Sequence, residues 1–254
     1  MGKKNPMDDK YVHEMDWGKG EALFANYNNY RKYQFNLIRQ FIGKNILEVG
    51  SGDKGFTRQI VAEKPNLDRL VSIEPSPTLF QAYKDNIRFP PTVSFQCVDL
   101  FDIHAQSFGS FDTIIFIHVL EHIENDKQAL DHAYNLLQAD GTVLIEVPAL
   151  QCLYSHHDES LGHYRRYDKE ILRLIVDPEK YAIEKIWYQD PIGVIGSLYF
   201  FKIRRFCLKS DQGLELVKNE GKLYDKFIIP IEETIEKFVT FPFGLSLTAI
   251  LKKI

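Results

Sequence analysis

The stretch NILEVGSGDKGFTRQI, Asn45–Ile60, decides how the rest of the chain is read. Its first five residues, NILEV, form a short apolar run with the length of a buried strand. Gly50, Gly52 and Gly55 follow with the spacing G-x-G-x-x-G, and an amphipathic run begins at Thr57. Glycines between a strand and a helix allow turns with positive φ and let a ligand press against bare backbone. The stretch therefore reads as the opening of a βαβ unit with a small-molecule site at its turn.

The same rhythm continues outward. Helical periodicity is predicted over 57–63, 78–87 and 125–138, and strands over 69–74, 92–98, 111–119 and 142–148. Strands separated by helices of this length imply crossovers and a parallel sheet, and nearly continuous apolar strands imply helices on both faces. Upstream, apolar and aromatic residues recur at helical spacing from Lys19 to Ile42. Downstream, 168–176 reads as a helix and 182–189 as a strand, while 190–243 reads as irregular and rich in aromatic and basic residues. GLSLTAILKK (244–253) is the expected closing strand. The expected fold is a Rossmann-like α/β sheet of seven strands with helices on both faces. Its last strand is antiparallel, preceded by a cap insertion. One domain is expected over 1–254, with an N-terminal helical cap (1–42), a cofactor-binding core (43–150) and an acceptor-side region (151–254).

Composition narrows the class. Hydrophobic residues make up 44% and charged residues 26% of the 254, as in ordinary globular enzymes, and the net charge is −4. That balance offers no footprint for a nucleic-acid backbone. Cys97, Cys152 and Cys207 are far apart and odd in number, giving neither a disulfide framework nor a zinc spacing, so a reducing cytoplasm is expected. Residues 1–18 are polar and lack the apolar run of a secretory signal. The longest apolar run, 191–201, falls short of the about 20 residues that span a bilayer.

The glycine loop alone fits either a dinucleotide or S-adenosylmethionine. Glu74, at the end of the second strand, could accept hydrogen bonds from ribose hydroxyls of either one. Three features favour S-adenosylmethionine. Glu48, two residues before Gly50, could hold the cationic amino-acid part of the ligand, whereas it and Asp53 would repel a pyrophosphate at the helix N-terminus. Asp99, directly after the third strand, can accept from an adenine amino group. FDTIIFIHVLEHI (111–123) ends the fourth strand beside the same cleft. The plainer alternatives are a loop-bracing acid at Glu48 and a turn residue at Asp99. An NAD(P)-dependent oxidoreductase remains the competing class, and a non-catalytic S-adenosylmethionine-binding protein a third.

The segments LEVGSGDKG, VSIEPSP, CVDLFD, FDTIIFIHVLEHI and LLQADGTVLIEVPA together resemble the class I S-adenosylmethionine-dependent methyltransferases over roughly residues 43 to 150. YSHHDESLGHYRRYDKEIL resembles a narrower bacterial and archaeal subgroup whose members accompany sugar and cell-surface polysaccharide pathways. The resemblance implies that Glu48, Gly50, Ser51, Gly52 and Gly55 line the methionine end. It also implies that Glu74 and Pro75 hold the ribose, that Asp99 and the Leu100 backbone hold adenine, and that the chain at His118 approaches the methionine amino group. Asp53-Lys54 departs from the small or apolar residues usual in that loop.

Methyl transfer from a sulfonium is an in-line displacement, so the protein must orient the acceptor, exclude water and, for a hydroxyl, take a proton. Residues 151–167 are dense in suitable groups. His157, then His156, are the candidate bases. His163, Arg165 and Arg166 are the candidate grip on an anionic acceptor, because Arg pairs bidentately with carboxylate or phosphate. The alternative has the histidines capping and the arginines in salt bridges to Glu159, Asp168 or Glu170. His118 and His122 lie four apart, but no third ligand is evident, so no metal is expected. The segment 191–208, with Lys202, Arg204 and Arg205, reads either as core packing or as a contact with anionic lipid, where a lipid-linked acceptor would sit.

Overall fold

The computed structural model describes residues 9, 28–83, 88–203 and 221–254. Seven strands form one sheet: β1 (Asn45–Val49), β2 (Arg69–Ile73), β3 (Val93–Gln96), β4 (Phe111–Ile117), β5 (Leu137–Pro148), β6 (Tyr181–Gln189) and β7 (Ser246–Lys253). Their order is β3-β2-β1-β4-β5-β7-β6. The pairs among β1 to β5 are parallel, and β7 runs antiparallel between β5 and β6. The sheet therefore reverses its winding between β1 and β4, and a cleft opens outside the carboxyl ends of those strands.

Strand alternation sorts the core into two layers. Ile46, Leu70, Ile115, Leu144 and Ile250 pack on one face against Phe35 and Ile38 of α1 (Asn28–Ile38) and Phe56 and Ile60 of α2 (Gly55–Glu63). Leu47, Val71, Phe116, Ile145 and Leu251 pack on the other. There they meet Ala129, Leu130 and Ala133 of a helix over Asp126–Leu136, and Leu172 of one over Lys169–Ile175. The same alternation puts Glu48 on the α2 side and Glu146 on the α1 side, which matters below.

Several expected boundaries move. The helix after β2, α3 (Pro77–Ala82), stops at Tyr83. Residues 84–87 of its expected range lie outside the described residues. α4 (Ala105–Phe108) is a single turn, and α5 (Asp126–Leu136) starts on the Asn125 cap, which accepts from the Gln128 N–H. β5 begins five residues early, at Leu137, and its register against β4 shifts where Asp140 takes φ +58°. The expected loop 151–167 contains a helix, α6 (His156–Leu161), because Ser155 and Asp158 form a reciprocal capping box. α7 (Lys169–Ile175) follows.

The described residues between 191 and 236 are helical rather than irregular, whereas 237–243 carry no regular structure, as expected. α8 (Pro191–Ser197) starts where the Asp190 carboxylate accepts from the Gly193 N–H at 2.7 Å. It runs on through a π-helical stretch, Leu198–Ile203. A second π-helical stretch, Tyr224–Ile228, leads into α9 (Ile229–Glu236). Glycines and prolines depress the helix signal in Pro191–Gly196, and a cap plus tertiary packing overrides it. α1 ties these helices to the sheet. The Tyr30 N–H donates to Asp225 at 2.7 Å, Tyr33 Oη to Glu236 at 2.7 Å and Asn36 Nδ2 to Glu233 at 2.8 Å.

Candidate active site

The glycine loop is fastened to the end of β2: the N–H groups of Gly50 and Ser51 both donate to the Ile73 carbonyl, at 2.8 and 2.9 Å. The two central glycines serve different ends. Gly50 has φ +77°, and a Cβ there would lie 2.6 Å from Cγ2 of Val119, so its bareness is required by a protein neighbour. Gly52 has φ +46°, and a Cβ there would meet nothing within 4 Å, so the open space lies at Gly52. Gly55 donates its N–H to Asp53 Oδ1 at 2.8 Å, and Arg31 of α1 reaches the same oxygen at 3.9 Å. Lys54 adopts φ +62° and tucks its ammonium onto the Tyr83 carbonyl and over the Phe95 ring.

Two buried carboxylates frame the loop. Glu48 Oε2 accepts from Thr57 Oγ1 at 2.5 Å and Ser72 Oγ at 2.7 Å, so it braces α2 against β2. Burial raises its pKa to about 7 against the restraint of those two hydroxyls. Glu74 Oε2 accepts from the Gly52 N–H at 2.9 Å, and its Oε1 from the Ser76 N–H at 3.0 Å. Burial raises its pKa too, opposed by those two N–H groups, and the nearby Asp9 adds to the rise. Asp9 itself accepts from Ser76 Oγ and from the Thr78 N–H, which places that residue at the Glu74 end of the site. Pro75 lies half-buried between Glu74 and Ser76. Asp99, three residues past β3, accepts from the Phe101 N–H at 3.1 Å. The Leu100 side chain is buried in the core, and its carbonyl accepts from the Ile103 N–H at 3.1 Å.

Beyond β4 lies a second polar cluster. His118 takes φ +53°, and its N–H donates to the Glu146 carbonyl. Its ring stands between two buried carboxylates, with Nε2 3.2 Å from Glu146 Oε1 and Nδ1 3.4 Å from Glu121 Oε1. Burial alone would lower the imidazole pKa, but the two carboxylates outweigh it and raise the value to about 9. Gln34 of α1 donates to Glu146 Oε1 at 2.5 Å, closing the cluster from above.

The segment after β5 adds Asp158, fully buried on α6. Its Oδ1 receives Arg166 Nε at 2.7 Å and faces His163 Nδ1 at 3.1 Å. Burial would raise the Asp158 pKa, yet His163 and Arg166 hold it well below the usual carboxylate range. Arg165 bonds Asp126 Oδ2 at 2.6 Å and the carbonyls of Ile123 and Glu124. Both arginine charges are thus matched inside the protein, by Asp126 and Asp158 rather than by the expected Glu159, Asp168 or Glu170. His156 is on the surface, its Nδ1 3.2 Å from Glu159 across one helical turn. His157 is half-buried, and burial lowers its pKa to about 4.

Glu121, Glu146, Asp158 and Gln34 carry no motif of their own. Glu121 was visible only as the acid of LEHI, three residues after His118. Glu146 was visible as a lone acid in an apolar strand, a pattern that marks a buried partner-seeking group.

Residues 21–204 match a family described as a methyltransferase domain. The chain belongs to that methyltransferase family. S-adenosylmethionine is the methyl donor of this class. The methyltransferase is 23% identical to malonyl-[acyl-carrier protein] O-methyltransferase 1 of Ilyobacter polytropus, over 54% of this chain and 52% of that protein. It is 24% identical to the ubiquinone/menaquinone biosynthesis C-methyltransferase UbiE of Geotalea uraniireducens, over 56% and 62%. The match thus spans about half to three-fifths of these relatives' lengths. Among solved structures, the N-methyltransferase NodS of Bradyrhizobium japonicum, bound to S-adenosylhomocysteine, superposes with a TM-score of 0.52 at 13% identity, covering 90% of this chain and 88% of that one. That likeness concerns the fold. These three proteins are named for O-, C- and N-methylation, so they leave the acceptor atom open.

Proposed function

We propose that the protein transfers the methyl group of S-adenosylmethionine to a hydroxyl oxygen of a small-molecule or glycan acceptor, anionic or lipid-linked. In that reaction the methyl–sulfur bond breaks, a carbon–oxygen bond forms, the hydroxyl proton leaves and S-adenosylhomocysteine departs. The observation that carries the reading is the open space at Gly52 beside the buried Glu74 carboxylate, at the switch between β1 and β4. An oxidoreductase would need pyrophosphate where Glu48, Glu74 and Asp53 crowd the loop.

In this reading Glu74 and Pro75 meet the ribose, Asp99 and the Leu100 backbone meet adenine, and Gly50, Ser51 and Gly52 line the methionine end, with Glu48 bracing the loop from beneath through Thr57 and Ser72. His118, cationic up to about pH 9, suits the methionine carboxylate better than its ammonium group. His157 is neutral at physiological pH and able to take a proton, although a pKa of about 4 makes it a weak base. His156, exposed on the far side of α6, is the lesser candidate. His163 and Arg165 line the acceptor side, and Arg166 acts through Asp158.

A lipid-linked acceptor is supported by the groove lined by Ile192, Ile195, Ile235, Phe241 and Phe243, which Glu232 and Glu236 also border, and by the exposed Phe227, Phe238, Lys226 and Lys237 in the same stretch of chain. Of the segment 191–208, residues 204–208 lie outside the described residues. Among the described residues no helix is long and apolar enough to cross a membrane.

The test is calorimetry with S-adenosylhomocysteine and NAD, followed by incubation of labelled S-adenosylmethionine with fractionated polar and lipid extracts. Binding of S-adenosylhomocysteine alone, and label on an oxygen of a product, are expected. Binding of NAD instead, or label on nitrogen or carbon, would overturn the cofactor or the acceptor part respectively.

A further inference from the structure

We propose that Glu121, His122 and His163 form a binding site for a divalent first-row transition-metal ion on the acceptor side of the cleft. One ligand atom from each residue lies within 4.8 Å of the others. Bonds of about 2.0–2.2 Å to nitrogen and oxygen put ligand atoms ~3–4 Å apart, so the side chains need close by only ~1 Å to share an ion.

Each ligand is presented for the purpose. Glu121 is fully buried on the turn Leu120–His122; its Oε1 faces His118 Nδ1 at 3.4 Å, and its Oε2 has no hydrogen-bond partner. Buried carboxylates ordinarily find hydrogen bonds or an ion. Its neighbour His118 is already shared with a second buried carboxylate, Glu146. His163 directs Nδ1 at Asp158, which fixes the ring and leaves Nε2 for an ion. A carboxylate behind a metal-binding histidine is the usual outer arrangement at such sites. Arg166 Nε and the Ser155 N–H hold that Asp158 in place. His122 meets His163 edge to face, with ring centroids 4.7 Å apart.

The backbone locks the two segments in register. The Tyr164 N–H donates to the Glu121 carbonyl at 2.8 Å, Tyr154 Oη to the His163 carbonyl at 2.7 Å, and Arg165 spans to the carbonyls of Ile123 and Glu124. The spacing of His118 and His122 suggested a pair along one helix; the fold instead turns His118 to Glu121 and Glu146 and brings His163, 41 residues past His122, to Glu121 and His122.

Two imidazoles and one carboxylate leave coordination positions open, as catalytic rather than structural ions require. The role of those positions rests on the activity proposed above. A hydroxyl bound there would lose its proton to water more readily, which relieves the weak base His157 of that task. The ion site itself does not rest on that activity.

The experiment titrates untagged, chelator-treated protein with Co2+, Zn2+ and Mn2+ by calorimetry, and follows the visible absorption of Co2+. S-adenosylhomocysteine binding is measured in parallel. One ion per chain is expected, with affinity falling about tenfold or more in Glu121→Gln and His163→Gln. His122→Ala, at a half-exposed position, should show the same loss if either of the other variants fails to fold. Absence of saturable binding by all three ions, or binding undiminished in the variants, would overturn the site. Ion binding without S-adenosylhomocysteine binding would sink the methyltransferase activity and leave the site standing; the reverse result would sink the site alone.

Discussion

Replacing Glu48 with Gln should make the protein more stable above neutral pH and leave it unchanged in acid. Glu48 is 3% exposed, and its pKa rises from 4.5 to about 7 on folding. The folded state therefore holds this proton more tightly than the unfolded chain does. Below pH 4.5 both states are protonated and the group contributes no penalty. Between 4.5 and about 7 the unfolded chain ionises first, and stability falls as pH rises. Above about 7 the full cost is present, roughly 3 kcal/mol at about 1.4 kcal/mol per unit. Gln removes the charge, and its amide oxygen in the place of Oε2 can accept from both Thr57 and Ser72. Its NH2 group then takes the place of Oε1 and must find a new partner. Some of the gain is lost to that, so an increase of about 1–3 kcal/mol at pH 8 is expected. Urea denaturation of both proteins at pH 4.5 and pH 8 reads the difference directly. A Gln variant equally destabilised at both pH values would show that Glu48 is ionised and held by its hydroxyls throughout, and the desolvation argument would fail.

Three further outcomes follow from the same geometry. Glu74→Ala takes the acceptor from the Gly52 and Ser76 N–H groups as well as from the ribose, so affinity for S-adenosylhomocysteine should drop by at least about tenfold, from roughly 1.5–3 kcal/mol for one charged hydrogen bond; unchanged calorimetric affinity would refute the ribose assignment. Arg166→Lys loses the Nε contact with Asp158 and leaves that buried carboxylate poorly compensated, and chemical denaturation should show a loss of about 2–4 kcal/mol; a change below 0.5 kcal/mol, the ordinary range for a surface site, would mean Asp158 is held by other groups. His118 should titrate near pH 9 in a histidine-resolved NMR experiment, with its contribution to stability complete below its unfolded pKa of 6.5 and lost as pH rises through about 9; a midpoint near 6.5 would place its ring away from Glu121 and Glu146.

The sheet was legible in the sequence because its information is local. Nearly continuous apolar runs, spaced by helices, leave little choice of architecture once the glycine loop marks the first turn. The closing strand 244–253 was legible for the same reason, and it pairs where an antiparallel seventh strand should. The helices of 191–236 were not, because they are made by contacts rather than by propensity. Asp190 caps α8, and Asp225, Glu233 and Glu236 seek partners on α1 nearly two hundred residues away. The acceptor side shows the same divide. That 154–167 is rich in His and Arg can be read from the letters, but which acid each Arg meets cannot. Arg166 finds Asp158 on the adjoining helix, and Arg165 finds Asp126 across the cleft. Gly50 was legible as a bare position, but the atom that demands it, Cγ2 of Val119, belongs to the chain after β4.

β7 lies between β5 and β6, so β6 has no sheet neighbour other than β7 among the described residues. A ribosome that has released everything up to Gly244 has therefore made a strand with nowhere to dock. The five strands up to β5 can assemble as a parallel half-sheet, but the apolar edge of β5 stays uncovered until Ser246–Lys253 emerges and zips both partners at once. Closure of that edge is a late, long-range event of the kind that slows folding and exposes intermediates to association. The nascent chain spends this interval with its most aggregation-prone edge bare, which makes these few residues the gate through which the molecule leaves chaperone care.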